Sequence, residues 1–110
     1  MTEKELKFLS DILQAIELIE AFTISTPTFD AYVKDVKTQS AVERQLAIIG
    51  EAANKFNQIQ TKITIQNVEK IVSVRNRLVH AYDAVDNSII WLIINKYLPG
   101  LKSEVKNFLK

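Results

Sequence analysis

An apolar pattern of helical period runs through this chain almost from end to end, and little else in the sequence constrains the fold as strongly. The 110 residues contain only two glycines and two prolines. That is too few turn-formers for a β-rich fold and too few glycines for a phosphate-cradling loop. Leu6, Leu9, Leu13, Ile16 and Ile19 step by three or four, and Phe8, Ile12 and Phe22 widen the stripe. Thr2 followed by Glu5 forms a capping box, so a first helix is predicted from about residue 3 to about residue 22. The hydroxyl-rich run from Thr23 to Thr28, with Pro27 inside it, ends that helix. A short helical turn over Phe29 to Lys34 follows.

The longest stretch without a breaker runs from about Val36 to about Ile59, with Val42, Leu46, Ile49, Ala53 and Phe56 on its inward face. Ala47, Gly50, Ala52 and Ala53 would let a second helix come close. A mid-helix glycine costs about 1 kcal/mol against alanine, so Gly50 is expected to be required by packing. Thr64 or Asn67 is expected to cap a helix running to about Val79, with Val68, Ile71, Val74 and Leu78 turned inward. Asp83 to Asp86 interrupts the pattern. Asp86 then caps an apolar helix through Ile89, Ile90, Leu92, Ile93 and Tyr97. Pro99-Gly100 marks a kink or restart before a final amphipathic turn or two carrying Leu101, Val105, Phe108 and Leu109. Four main helices with short connections predict an all-α fold, an antiparallel up-and-down four-helix bundle with short extra helical segments, as one domain over residues 1–110.

Charge and composition narrow the function. Fourteen basic against thirteen acidic residues leave a net charge of +1, which excludes nucleic-acid binding by bulk charge alone. The absence of cysteine removes disulfides, thiol nucleophiles and zinc–thiolate sites together. No run approaches the roughly 20 apolar residues of a spanning helix, and Met1 to Glu5 carries no apolar leader. The expectation is a cytoplasmic protein with no membrane partner.

One segment carries chemistry: Arg75-Asn76-Arg77-Leu78-Val79-His80-Ala81-Tyr82, at the end of the third long helix. The eleven residues from Lys70 to His80 hold three cations and no acid, two of the chain's three arginines, and its single histidine. Asn76 and His80, four apart, share a helical face. Arg75 and His80, five apart, stand about 140° apart around an ideal helix, so they meet on one ligand only if the helix end bends or a second subunit completes the site. A plainer reading has His80 capping the helix C-terminus, with Arg75 and Arg77 solvated.

The pattern Arg-Asn-x-x-x-His-x-Tyr at this place in an all-helical chain of this length resembles the HEPN superfamily, and within it the HepT-like ribonuclease toxins. Ile48-Ile49-Gly50-Glu51-Ala52-Ala53 is similar to that family's Ile-Gly-Glu-Ala helix, with Arg44 two turns before the glutamate. Val85-Asp86, leading into Ile90-Trp91 and Leu98-Pro99, continues the likeness. The chain departs from the pattern in having no tryptophan near Ile65-Gln66-Asn67 and in carrying Asp83 after the motif tyrosine.

The resemblance implies metal-independent cleavage of RNA by an endoribonuclease toxin, without cofactor or metal, and the side chains suit that reaction. His80, with an unperturbed pKa near ~6.5, is the group able to exchange a proton near pH 7. Arg75 can hold phosphate oxygens in fork geometry and stabilise the charge that grows in the transition state. Asn76 would orient the imidazole or bind a phosphate oxygen. A single histidine cannot be free base and protonated acid at once, which favours a homodimer with two His80 and two Arg75 in one cleft. Glu51 would pair with Arg44 or, across the bundle, with Arg75, or else stand solvated. The family further implies a minimal nucleotidyltransferase antitoxin that transfers AMP to Tyr82. The competing function is a non-catalytic helical subunit of a nucleotidyltransferase complex that binds a nucleotide or nucleic acid.

Overall fold

The computed structural model describes residues 1–60, 62–80 and 86–110; at Val79 and His80 it describes the helix backbone and not the side chains. All the regular structure among the described residues is helical. Helix α1 spans Glu3–Phe22 and opens on the expected capping box: the Glu5 N–H donates to Thr2 Oγ1 (3.2 Å) and the Thr2 N–H to Glu5 Oε2 (2.9 Å). A single 3₁₀ turn, Thr23–Ser25, leads to the short helix α2, Phe29–Val33, capped by Thr28. Helix α3, Val36–Ile59, starts on Asp35, whose carboxylate accepts from the Thr38 N–H (3.0 Å) and hydroxyl (2.7 Å). These hydrogen bonds hold the Asp35 carboxyl below the ordinary carboxylate range, the hydroxyl contributing most.

Helix α4 spans Glu69–His80. Neither Thr64 nor Asn67 caps it as expected. Asn67 is drawn instead to the opposite end of the chain: Glu104 accepts the Gln66 N–H (2.7 Å), the Asn67 N–H (3.2 Å) and the Asn67 side-chain amide (3.1 Å). A carboxylate three turns before the chain's last residue thus ties down the entry to α4, a partner that local sequence cannot foretell.

Asp86 caps α5, Asn87–Leu92, by accepting from the N–H and the hydroxyl of Ser88, both at 2.8 Å. At Pro99 the chain neither kinks off nor restarts as a stub. A π-helical turn over Ile93–Tyr97 passes directly into α6, Leu98–Phe108. Proline has no N–H to donate and its ring conflicts with the carbonyl four residues back, so one widened turn absorbs the misfit and the rod continues.

The helices α1, α3, α4 and the α5–α6 rod form the bundle, with α3 packed between α1 and α4. Phe8 shares a cavity with Lys55, whereas Leu18 shares one with Gln45, so α1 and α3 run antiparallel. Likewise Arg75 lies on Gly50 and Leu78 beside Ser40 and Glu43, so α4 runs antiparallel to α3. The core takes Val42, Leu46, Ile49, Ala53 and Phe56 from α3 and Val68, Ile71 and Val74 from the α4 segment, as the periodicity predicts. On α1 the buried line is Leu9, Ile12, Ala15, Ile16 and Ile19, while Leu6 is 39% exposed. Leu6 and Leu13 are seven apart and so share a flank of the helix, outside the strip that faces α3.

Aromatic rings close the two ends. Phe29 and Tyr32 lie 6.1 and 5.5 Å from Trp91, and Phe56 stacks on Phe108 at 6.4 Å. Among the described residues no helix is long and apolar enough to cross a membrane.

Candidate active site

The site begins with a missing side chain. A Cβ placed on Gly50 would stand 2.6 Å from the Cβ of Arg75, 3.0 Å from its Cγ and 3.4 Å from the Ile71 carbonyl oxygen. The α4 backbone therefore rides directly on Gly50, which explains a glycine in the middle of a 24-residue helix. The stem of Arg75 lies across that gap and its guanidinium reaches the next residue of α3, Glu51.

Two partners hold the guanidinium. Arg75 Nη2 forms an ion pair with Glu51 Oε2, and Arg75 Nη1 donates to Asn76 Oδ1 at 3.0 Å. The other oxygen of Glu51 faces Lys55 Nζ at 3.3 Å. The carboxylate thus bridges two cations from two helices. A guanidinium has five N–H donors, so these contacts fix its plane and leave donors for a further oxyanion. The Arg75 side chain is 23% exposed: anchored, yet open to solvent.

That guanidinium forms one wall of an open cavity of about 360 Å³ between α1, α3 and α4. Phe8 and Asp11 line it from α1, Arg44, Glu51 and Lys55 from α3, and Arg75 from α4. Both acids are engaged, Asp11 by Lys7 at 2.8 Å and Glu51 as above. Arg44 is exposed and has no carboxylate within ion-pairing distance among the described residues.

Of the residues singled out in the sequence, Arg75, Asn76 and Glu51 come together. The choice left open for Glu51 falls on Arg75 across the bundle and not on Arg44. Asn76 gives its carbonyl oxygen to Arg75. His80 closes α4, and its side chain, like the whole of Tyr82, lies outside the described residues. Arg77 is turned elsewhere: after the hydrogen bonds from Ser88, its charge helps hold the Asp86 carboxyl below the usual range.

Sequence reasoning left Lys55 as plain surface, although the Glu51-to-Lys55 spacing is that of a favourable i, i+4 pair. Asp11 and Phe8 carried no such signal, because only the packing of α1 on α3 brings them to the cavity. No group of three or more acidic or histidine side chains suited to a metal ion occurs among the described residues.

An all-helical domain that grips one arginine between a carboxylate and an amide at the rim of an open, cation-lined cavity defines a class of phosphate-handling helical proteins. Comparison with known proteins gives the family. The ribonuclease HepT-like family matches residues 12–108, and the chain belongs to it, within the HEPN superfamily. It is 37% identical over 107 residues to a protein of Thermococcus cleftensis named "Probable ribonuclease HepT", covering 94% of each chain. It is 34% identical over 119 aligned positions to the Methanocaldococcus jannaschii protein named "Putative RNase MJ0127", covering all of this chain and 92% of that one. A third relative, "Putative RNase TTE0752" of Caldanaerobacter subterraneus subsp. tengcongensis, is 35% identical over 105 residues, covering 94% of this chain and 92% of the other. No solved structure matches.

Proposed function

We propose that this chain is a metal-independent endoribonuclease that acts as a homodimer, with Arg75 and His80 carrying the chemistry. The reading rests on one observation above the others: in a chain of this family, Arg75 is pinned by Glu51 and Asn76 with its guanidinium still open to an incoming phosphate. Pinning matters because charge stabilisation of a transition state is strongest when the donor needs no reorganisation.

In the reaction, the ribose 2′-oxygen attacks the adjacent phosphorus as its proton passes to a neutral imidazole. The bond to the 5′-oxygen then breaks, and a protonated imidazole supplies that oxygen's proton. The products are a 2′,3′-cyclic phosphate and a free 5′-hydroxyl. One His80 serves as base and the partner subunit's copy as acid, so the pair ends with one proton exchanged between them. Arg75 neutralises the phosphorane. Helical register supports the two-chain site: position 80 falls on the same side of α4 as the exposed Ser73 and Asn76, away from Ile71 and α3.

In the same reading the protein is the toxin of a toxin–antitoxin pair. A minimal nucleotidyltransferase transfers AMP from ATP to the Tyr82 hydroxyl and releases pyrophosphate. The bulky anion two residues from His80 would then obstruct the cleft.

Cleavage of a defined RNA in the presence of a chelator, with mapping of the product ends, tests the first part. Wild type should leave cyclic or 3′-phosphate ends, and Arg75→Ala and His80→Ala should abolish cleavage. Full activity in a purified heterodimer of wild-type and His80→Ala chains would refute the shared site. Co-expression with the nucleotidyltransferase should add AMP mass that Tyr82→Phe removes. If RNA binds in an Arg75-dependent way and no variant or condition gives cleavage, the protein is instead a nucleic-acid-binding subunit.

A further inference from the structure

We propose that the cavity between α1 and α3 is a second nucleotide subsite, which holds the RNA next to the cleaved bond by its phosphate on Arg44 and its base on Phe8. This rests on the ribonuclease reading above and adds the residues that grip the substrate away from the reacting atoms. Four observations carry it.

The first is charge. Three cations line the cavity against two acids, and both acids are already paired. Arg44 is the cation left over among the described residues, exposed and with no carboxylate beside it. An arginine held at a concave site with its charge unmatched is suited to a phosphate, which its fork can bind in bidentate geometry.

The second is spacing. Arg44 precedes Glu51 by seven residues of α3, two turns, or about 10 Å along the helix. Arg75 is tied to Glu51, so the two guanidinia are too far apart to share one phosphate. They suit successive positions along a strand.

The third is the wall opposite. Phe8 is half-buried on α1 and lines the same cavity as Arg44. A base–aromatic stack beside a basic track is how single strands are held without sequence readout. Asp11 and Ile48 belong both to this cavity and to a second of about 270 Å³, so the groove continues along the α1–α3 seam.

The fourth is size. At about 360 Å³ the cavity stands at the lower end of the ~300–1,000 Å³ typical of small-molecule clefts, room for one nucleotide unit and not for a duplex. The occupant is therefore a single-stranded RNA segment.

The test measures binding apart from cleavage. A fluorescent 2′-O-methyl hexaribonucleotide, which lacks the attacking hydroxyl, is titrated by anisotropy against the full chain at several salt concentrations. Arg44→Ala should weaken binding about tenfold and reduce the slope of log affinity against log salt by about 0.7, the share of one single-strand phosphate. Arg44→Lys should keep that slope. Phe8→Leu, which preserves apolar bulk, should weaken binding several-fold with the slope unchanged. Lys34→Ala, a cation remote from the groove, should have no effect. AMP should compete only at far higher concentration than the oligonucleotide; equal competition would mean a free-nucleotide site and overturn the strand reading. Unchanged affinity and slope in Arg44→Ala, with wild type cleaving RNA, would overturn the subsite and leave the ribonuclease reading intact. Failure of wild type to cleave any RNA, with Arg44-dependent binding preserved, would overturn the catalytic reading alone.

Discussion

Gly50→Ala sets two large local effects against each other. Alanine is the better helix former by about 1 kcal/mol, and Gly50 sits well inside a long helix, so local propensity predicts a more stable protein. The added methyl would meet the Arg75 Cβ at 2.6 Å and its Cγ at 3.0 Å. The nearer atom is fixed to the α4 backbone and cannot swing away, so α4 itself must shift. Overpacking of this kind typically costs about 1–3 kcal/mol. The balance is a net loss of about 1 kcal/mol, which for a domain of this size lowers the melting temperature by about 5 °C. Activity should fall further than stability does, because the same displacement lifts the Arg75 guanidinium off Glu51. Thermal melts followed by circular dichroism, with RNA cleavage assayed well below the melting temperature, separate the two effects. A variant that melts higher than wild type and cleaves at the wild-type rate would refute the close-approach argument.

Other substitutions probe the same framework. Glu51→Gln should cost less than about 1 kcal/mol, because both members of its ion pair with Arg75 are partly solvated. It should nevertheless cut kcat at least about tenfold by freeing the guanidinium, a split that urea melts and single-turnover kinetics would reveal. Glu104→Ala removes the acceptor for two backbone N–H groups and one side-chain amide ahead of α4, and should lower stability by about 1 kcal/mol in urea melts.

Glu43→Gln should raise the melting temperature at pH 7. Burial raises the Glu43 carboxyl's pKa in the folded chain, so its ionised form weighs against folding once the pH exceeds that value. The advantage should vanish below about pH 4, where the carboxyl is protonated in both states. Asp35 and Asp86 have the opposite sign. Their folded values are depressed by cap hydrogen bonds, so the stability they contribute is present above the unfolded carboxylate value and is lost as the pH falls through the folded one. Acid titration of Asp35→Asn and Asp86→Asn should accordingly show shallower losses than wild type.

The extent to which this chain could be read in advance follows the range of the interactions involved. The Thr2–Glu5 box, the Asp86 cap, the break after Phe22 and the span Val36–Ile59 are settled by groups within a few residues of one another, and each stands where the sequence puts it. The glycine in α3 announced a close approach, because nothing else justifies its helix cost. It could not say which helix came close. Only packing chose Arg75 over Arg44 as the partner of Glu51, pulled Asn67 away from a capping role toward Glu104, and turned Leu6 outward.

Local rules thus determined the helices, their ends and the short motif that marks the family. The pairing of helices, which depends on surfaces dozens of residues apart, decided everything else: which arginine is clamped, which is left open, and that Phe8 and Asp11 from α1 share their cavity. Hydrogen bonds and helical phase act over one turn of chain, so a sequence displays them directly. Charge partners and cavity walls depend on which faces meet, and no single segment carries that information.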